Sequence, residues 1–139
     1  MSESKYFDLH ITGLGYLNRV REVSPKKGAA FYACDIVALH GSADAPDKTR
    51  FDCRVSGAEA ERLIKAAKSY VDEDRKVLIG FKLGDLYPDL FEYQKGEKAG
   101  QSGVSLKARL LRVAWIKVDG ETVYTASADS TQEPESSAA

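Results

Sequence analysis

Alternation of apolar and polar residues picks out most of the strands in this chain. Phe7, Leu9 and Ile11 alternate with Asp8, His10 and Thr12 at the head of a long strand candidate, 6–23. That is the period of a strand with one buried face. The alternation loses phase after Gly13-Leu14-Gly15. Glycine inside a strand marks a bulge, a bend or a close backbone approach, so a strongly bent first strand is expected. Pro25 to Gly28 reads as a turn. In the second strand, 31–40, Cys34, Ile36 and Ala38 share one face and Asp35, Val37 and Leu39 the other. After a loop over 41–47, the third strand, 50–55, puts Phe51, Cys53 and Val55 inward and Arg50, Asp52 and Arg54 outward.

One helix follows. Ser56 and Glu59 have capping-box spacing. Ala60, Leu63, Ile64, Ala67 and Val71 recur at helical intervals, with Glu61, Arg62, Lys65 and Lys68 between them. Val77, Ile79, Phe81 and Leu83 alternate cleanly as a fourth strand. The stretch 84–103 is rich in Gly, Pro and charge yet carries Tyr87, Phe91 and Tyr93, and reads as a long protruding hairpin rather than a core element. A fifth strand spans 105–118, Asp119-Gly120 is a tight hairpin turn, and 122–124 suits a short sixth strand.

Five strands with one helix between the third and fourth, and a long hairpin between the last two, is the element order of an OB-fold barrel. Closure of such a barrel removes the sheet edges that would otherwise aggregate. The expected class is therefore mainly β, with residues 1–125 as the domain. The alternative is an open α+β sheet with the helix on one face. Residues 126–139, ASADSTQEPESSAA, are small, polar and acidic, and read as a disordered tail.

Charge sharpens this division. Residues 120–139 hold four acids and no Lys or Arg, whereas 1–119 hold 20 basic against 17 acidic side chains. The body is mildly basic and the tail acidic. With 139 residues, 43% of them hydrophobic, the chain suits one soluble domain. It has no apolar run long enough for a membrane helix and no basic-then-apolar leader pattern, so a cytoplasmic protein without a membrane partner is expected.

Catalytic chemistry lacks a constellation. His10 and His40 are the only histidines, and Cys34 and Cys53 sit on inward strand faces as small buried hydrophobes. Two cysteines make no disulfide scaffold, and neither C-x-x-C nor H-x-x-x-H spacing occurs. Gly13-Leu14-Gly15 lacks the third glycine of a dinucleotide fingerprint. Asp85 and Asp89 read as solvated turn residues, and Trp115 and Tyr70 as packing residues. No enzyme activity, cofactor or metal is expected.

Binding chemistry is present. Arg19, Arg21, Arg50, Arg54, Lys82, Lys107 and Arg109 fall at outward strand positions, and Tyr87, Phe91 and Tyr93 lie on the hairpin, where Lys95 and Lys98 add charge. Cations that follow phosphates and flat rings that stack on bases are what single-stranded nucleic acid binding requires. Lys and Arg on strands are equally the ordinary solvated face of a sheet, and hairpin aromatics equally suit a subunit interface.

The third strand RFDCRV leading into a helix, the fourth strand VLIGFKL and the long hairpin resemble bacterial single-stranded DNA-binding proteins over about 6–118. More specifically, YFDLHITGLGYLNRVREV (6–23), ACDIVALHGS (33–42), RFDCRVSGAEA (50–60) and VSLKARLLRVAWIKV (104–118) resemble a family of small replication-associated proteins carried on bacterial integrative and conjugative elements. The resemblance implies single-stranded DNA as partner, a homo-oligomer, and work beside replication or conjugation proteins, with no catalytic residues to transfer. The tail departs from the single-stranded DNA-binding pattern, because it ends Glu135-Ser136-Ser137-Ala138-Ala139 without an aromatic. The competing expectation is a protein-interaction module with no intrinsic affinity for DNA.

Overall fold

β1 (His10–Val23) has more backbone than one neighbour can use, and it divides itself between two. Its first half, His10 to Tyr16, pairs antiparallel with β4 (Val77–Glu92), and its second half, Gly15 to Val23, pairs antiparallel with β2 (Phe31–His40). β2 continues to β3 (Asp47–Val55) and β4 to β5 (Ser102–Val118). A parallel seam between β3 and β5, Phe51 to Val55 against Leu106 to Leu110, closes five strands into a ring. A short β6 (Glu121–Thr125) adds to the far end of β5 across the Asp119-Gly120 turn. The protein is thus mainly β, a six-stranded ring-closed sheet with one helix. The structure, a computed structural model, describes residues 7–126. All but the first residue of the expected acidic tail lies outside the described residues.

The switch of partners occurs where β1 has no side chain. Gly15 pairs with Ala38 on one side and Ile79 on the other, and a Cβ there would stand 2.7 Å from the Ala38 Cα. Gly13-Leu14-Gly15 is therefore a close backbone approach, not the place where the alternation slips. The slip is a bulge between Asn18 and Arg21, with Arg19 at φ 50. The extra residue turns Val20 inward behind Leu17 and leaves Arg21 outward. Phe7 and Leu9 are not core residues as their alternation suggests. They precede the first paired residue and stand in solvent.

The helix α1 (Ala58–Asp72) lies mainly against β1 and β5 and inserts Ala60, Leu63, Ile64 and Ala67 into the core, as their spacing predicts. The capping box does not form. Gly57 occupies the cap position at φ 96, and the Ser56 N–H instead donates to the Leu110 carbonyl at 2.9 Å. Glu59 is left free to accept from Arg62 at 2.9 Å and from the Tyr124 hydroxyl at 3.3 Å. The 84–103 stretch is a hairpin made by strand extensions of β4 and β5, and its base is not separate from the core, because Leu86 and Leu106 pack against it.

Cys34 and Cys53 face each other across β2 and β3, both fully buried. Burial pushes the Cys34 thiol up to about 12, with neighbouring Asp35 adding to the rise. Cys53 rises further, through burial and then through Cys34 itself. Two outcomes are expected. Gly15→Ala lowers the unfolding free energy by about 2 kcal/mol, measured by denaturant titration, because backbone on both sides blocks relaxation. Both thiols stay unlabelled by a disulfide reagent at pH 8 in native protein and react at once in denaturant.

Candidate nucleic-acid interface

The sheet register sorts the outward side chains of β1 to β5 into rows. One row reads Arg21, Ala33, Arg54, Arg109, and the next reads Asp35, Asp52, Lys107, Tyr87. Two carboxylates thus stand directly opposite each other, an arrangement that destabilises a sheet unless cations intervene. Arg21 intervenes. It donates to Asp52 Oδ1 at 2.9 Å and to Asp35 Oδ1 at 3.4 Å, while the same guanidinium holds the Arg19 carbonyl at 2.8 Å. Arg19 and Arg50 approach Asp35 Oδ2 at 3.4 and 3.9 Å. Asp35 is only 3% exposed despite its outward position, because three arginines cover it.

Beside this cluster runs a groove of about 520 Å3. Arg21, Asp52, Arg54, Lys107, Arg109 and Asp85 supply its charges, and Phe31 and Tyr87 its aromatic surface. The Arg54 guanidinium lies 4.0 Å from the centre of the Phe31 ring, which fixes its plane. Tyr87 is 53% exposed. The hairpin then carries Asp89, Phe91 and Tyr93 outward on alternate residues from Tyr87. The Phe91 and Tyr93 rings meet edge to face at 5.0 Å and lie over Gly103, where a side chain would collide with them. Lys98 sits 5.4 Å over Tyr93.

The structure brings together Arg21, Arg54, Tyr87, Lys107 and Arg109 and sets Phe91 and Tyr93 along the same ribbon. Arg19 and Arg50 flank it over Asp35. Lys82 does not join them. It pairs across the sheet with Thr12 and Arg112, on the outer face of β1, β4 and β5. Asp85 is solvent-exposed and Asp89 half-buried, but both are strand and not turn residues. They sit in β4, where Asp85 holds Arg109 at 3.0 Å and Asp89 holds Lys107 at 3.3 Å. Trp115 packs outside the ring, across Gly80, rather than within it. A Cβ at Gly80 would collide with the Trp115 Nε1, so the glycine makes room for the ring.

One contributor escapes a reading of the sequence alone: nothing in the sequence places Arg54 over Phe31, and only the register does so. The acid of the face was visible in the alternation Arg50-x-Asp52-x-Arg54, which puts a carboxylate among the cations on one side of β3. Among the described residues no group of three or more His, Cys, Asp or Glu is placed to hold a metal, and no helix is long and apolar enough to cross a membrane.

Among solved structures, the chain is similar to the mitochondrial single-stranded DNA binding protein Rim1 of S. cerevisiae. The sequence identity is 11% and the TM-score 0.40, over 84% of this chain and 99% of that one. No curated protein matches it. Over residues 1–132 the sequence matches the model of the family described as protein of unknown function (DUF3577), and the chain belongs to that family.

Proposed function

We propose that the protein is a non-enzymatic OB-fold barrel that binds single-stranded DNA, as a homo-oligomer, during replication or transfer of an integrative and conjugative element. The groove between β2, β3, β5 and the hairpin is the observation that carries this reading. It offers phosphates Arg54, Lys107 and Arg109 and offers a base the exposed ring of Tyr87, and the adjoining hairpin adds the exposed Phe91 and the half-buried Tyr93. The sequence resemblance to replication-associated proteins of conjugative elements supports the biological setting.

The mechanism differs from simple electrostatic tracking by seven cations. Arg21 braces the sheet by holding two carboxylates, and its side chain is only 29% exposed. Lys107 and Arg109 reach the ligand by exchanging Asp89 and Asp85 for phosphates. These exposed pairs are individually weak, about 0–1 kcal/mol, so the exchange is easy. Each exchange also releases fewer salt ions than a bare cation would. Stacking then carries a large share of the affinity, at roughly 1–3 kcal/mol per base.

A second reading, a module that contacts replication or conjugation proteins, is favoured by one feature. Leu90 and Val104 stand opposite each other on the hairpin, 73% and 59% exposed.

Fluorescence anisotropy of a labelled oligothymidine, with a duplex control, decides between the two. The single strand binds preferentially, and log affinity falls against log salt with a slope shallower than the value near −2 that about three bare cations would give at roughly 0.7 each. Absence of binding at low salt removes the DNA reading and leaves the protein-interaction one. In Asp85→Asn/Asp89→Asn the affinity at low salt rises and the slope steepens. Phe91→Ala/Tyr93→Ala weakens binding at least about tenfold, with an unchanged melting curve, since both rings lie on the hairpin.

A further inference from the structure

The outer face of β1, β4 and β5, away from the groove, has its own chemistry. Its rows read Thr12, Lys82, Arg112; then Leu14, Gly80, Trp115; then Tyr16, Leu78, Lys117. Trp115 is half-buried, lies across Gly80, and has the Lys117 ammonium 5.6 Å from its ring centre. Leu14 beside it is 39% exposed. The groove cations Lys107 and Arg109 are held by carboxylates. Among the described residues, Lys82 and Lys117 pair with none.

This face and the groove are two ends of one strand. β5 presents Lys107 and Arg109 to the groove and Trp115 and Lys117 to the second face, with bulges where its register with β4 shifts. From Lys107 to Trp115 the strand covers roughly 25 Å at its ordinary rise. Both ends of this stretch are cationic and each has a flat ring, Tyr87 at one and Trp115 at the other.

We propose that Trp115, with Lys82 and Lys117, forms a distal stacking subsite for the same nucleic-acid strand that occupies the groove. It is reached only by strands long enough to follow β5 around the ring. This inference rests on the single-stranded DNA reading. A base stacks on the outward indole face, and Lys117 moves from the ring to the adjoining phosphate. The occupant is an extended polyanion with flat bases, because the face offers a ring beside Lys82 and Lys117, which pair with no carboxylate among the described residues.

Trp115 is the chain's only tryptophan, so its emission reports the subsite directly. Full-length protein is titrated with oligothymidines of about four and about sixteen nucleotides, the limits for one such domain. Anisotropy of a labelled copy is followed alongside tryptophan emission. The long strand quenches Trp115 in step with the anisotropy rise, while the short strand raises anisotropy and leaves the emission unchanged. Trp115→Leu then weakens the long strand by between about five- and a hundredfold and spares the short one. Lys117→Gln, at an exposed site, gives a smaller loss of the same length selectivity and serves if the tryptophan variant does not fold. Binding of the long strand with unchanged tryptophan emission overturns the subsite and leaves the groove intact. So does a tryptophan change that follows protein concentration without DNA, which assigns the face to a second copy of the chain. No anisotropy change with either length overturns the single-stranded DNA reading itself.

Discussion

The outer face of this protein depends on one guanidinium. Asp35 and Asp52 are cross-strand neighbours in β2 and β3, and two carboxylates so placed repel each other. Arg21 lies between them and bonds to both. It can do so only because the bulge at Arg19 adds one residue to β1 and reverses which side of the strand faces out. If β1 ran through Arg19 without the bulge, Val20 would fall opposite outward Ala33 and Arg21 would point into the core. A backbone irregularity, a partly buried cation and two acids thus form one unit, and the groove takes its charge distribution from it. Asp35 is buried, and a buried carboxylate left without its cation is strongly destabilising, so Arg21 serves the sheet before it serves any ligand.

Much of the fold was legible in the sequence, for a clear reason. Strands with one buried face announce themselves by alternation, and the helix by its Ala60, Leu63, Ile64, Ala67 spacing, because each element must present a continuous apolar surface to one core. What the sequence hid were the interruptions. The loss of phase in β1 could be seen, but glycines drew attention from Arg19, an arginine in a left-handed backbone conformation with no local signature. The S-x-x-E spacing at Ser56 was equally misleading, since Gly57 takes the cap position and the β5 carbonyl of Leu110 takes the serine N–H. Tertiary hydrogen bonding overrode a local motif.

The site was legible in its residue types and hidden in its pairings. Outward Arg and Lys could be read one strand at a time, whereas their partners come from other strands: Asp85 for Arg109, Asp89 for Lys107, Phe31 for Arg54. Lys82 shows the same limit from the other side. Its outward position in β4 was correct, yet curvature of the closed sheet carries it to a different surface from Arg54. In a ring, being outward does not mean being adjacent.

The parallel seam that joins Phe51 to Leu106 sets when the groove can exist. Its two strands are separated in the chain by the helix, by β4 and by the whole hairpin. The antiparallel pairs β1–β2, β2–β3 and β4–β5 are local hairpins that form from short loops, whereas the seam must wait until these pieces meet. During synthesis β3 leaves the ribosome well before its partner does, and for that interval its Arg50, Asp52 and Arg54 face water beside an unpaired edge. The charges that later line the groove also keep that waiting edge from pairing with a neighbouring chain, so the same alternation protects the nascent protein before it equips the finished one.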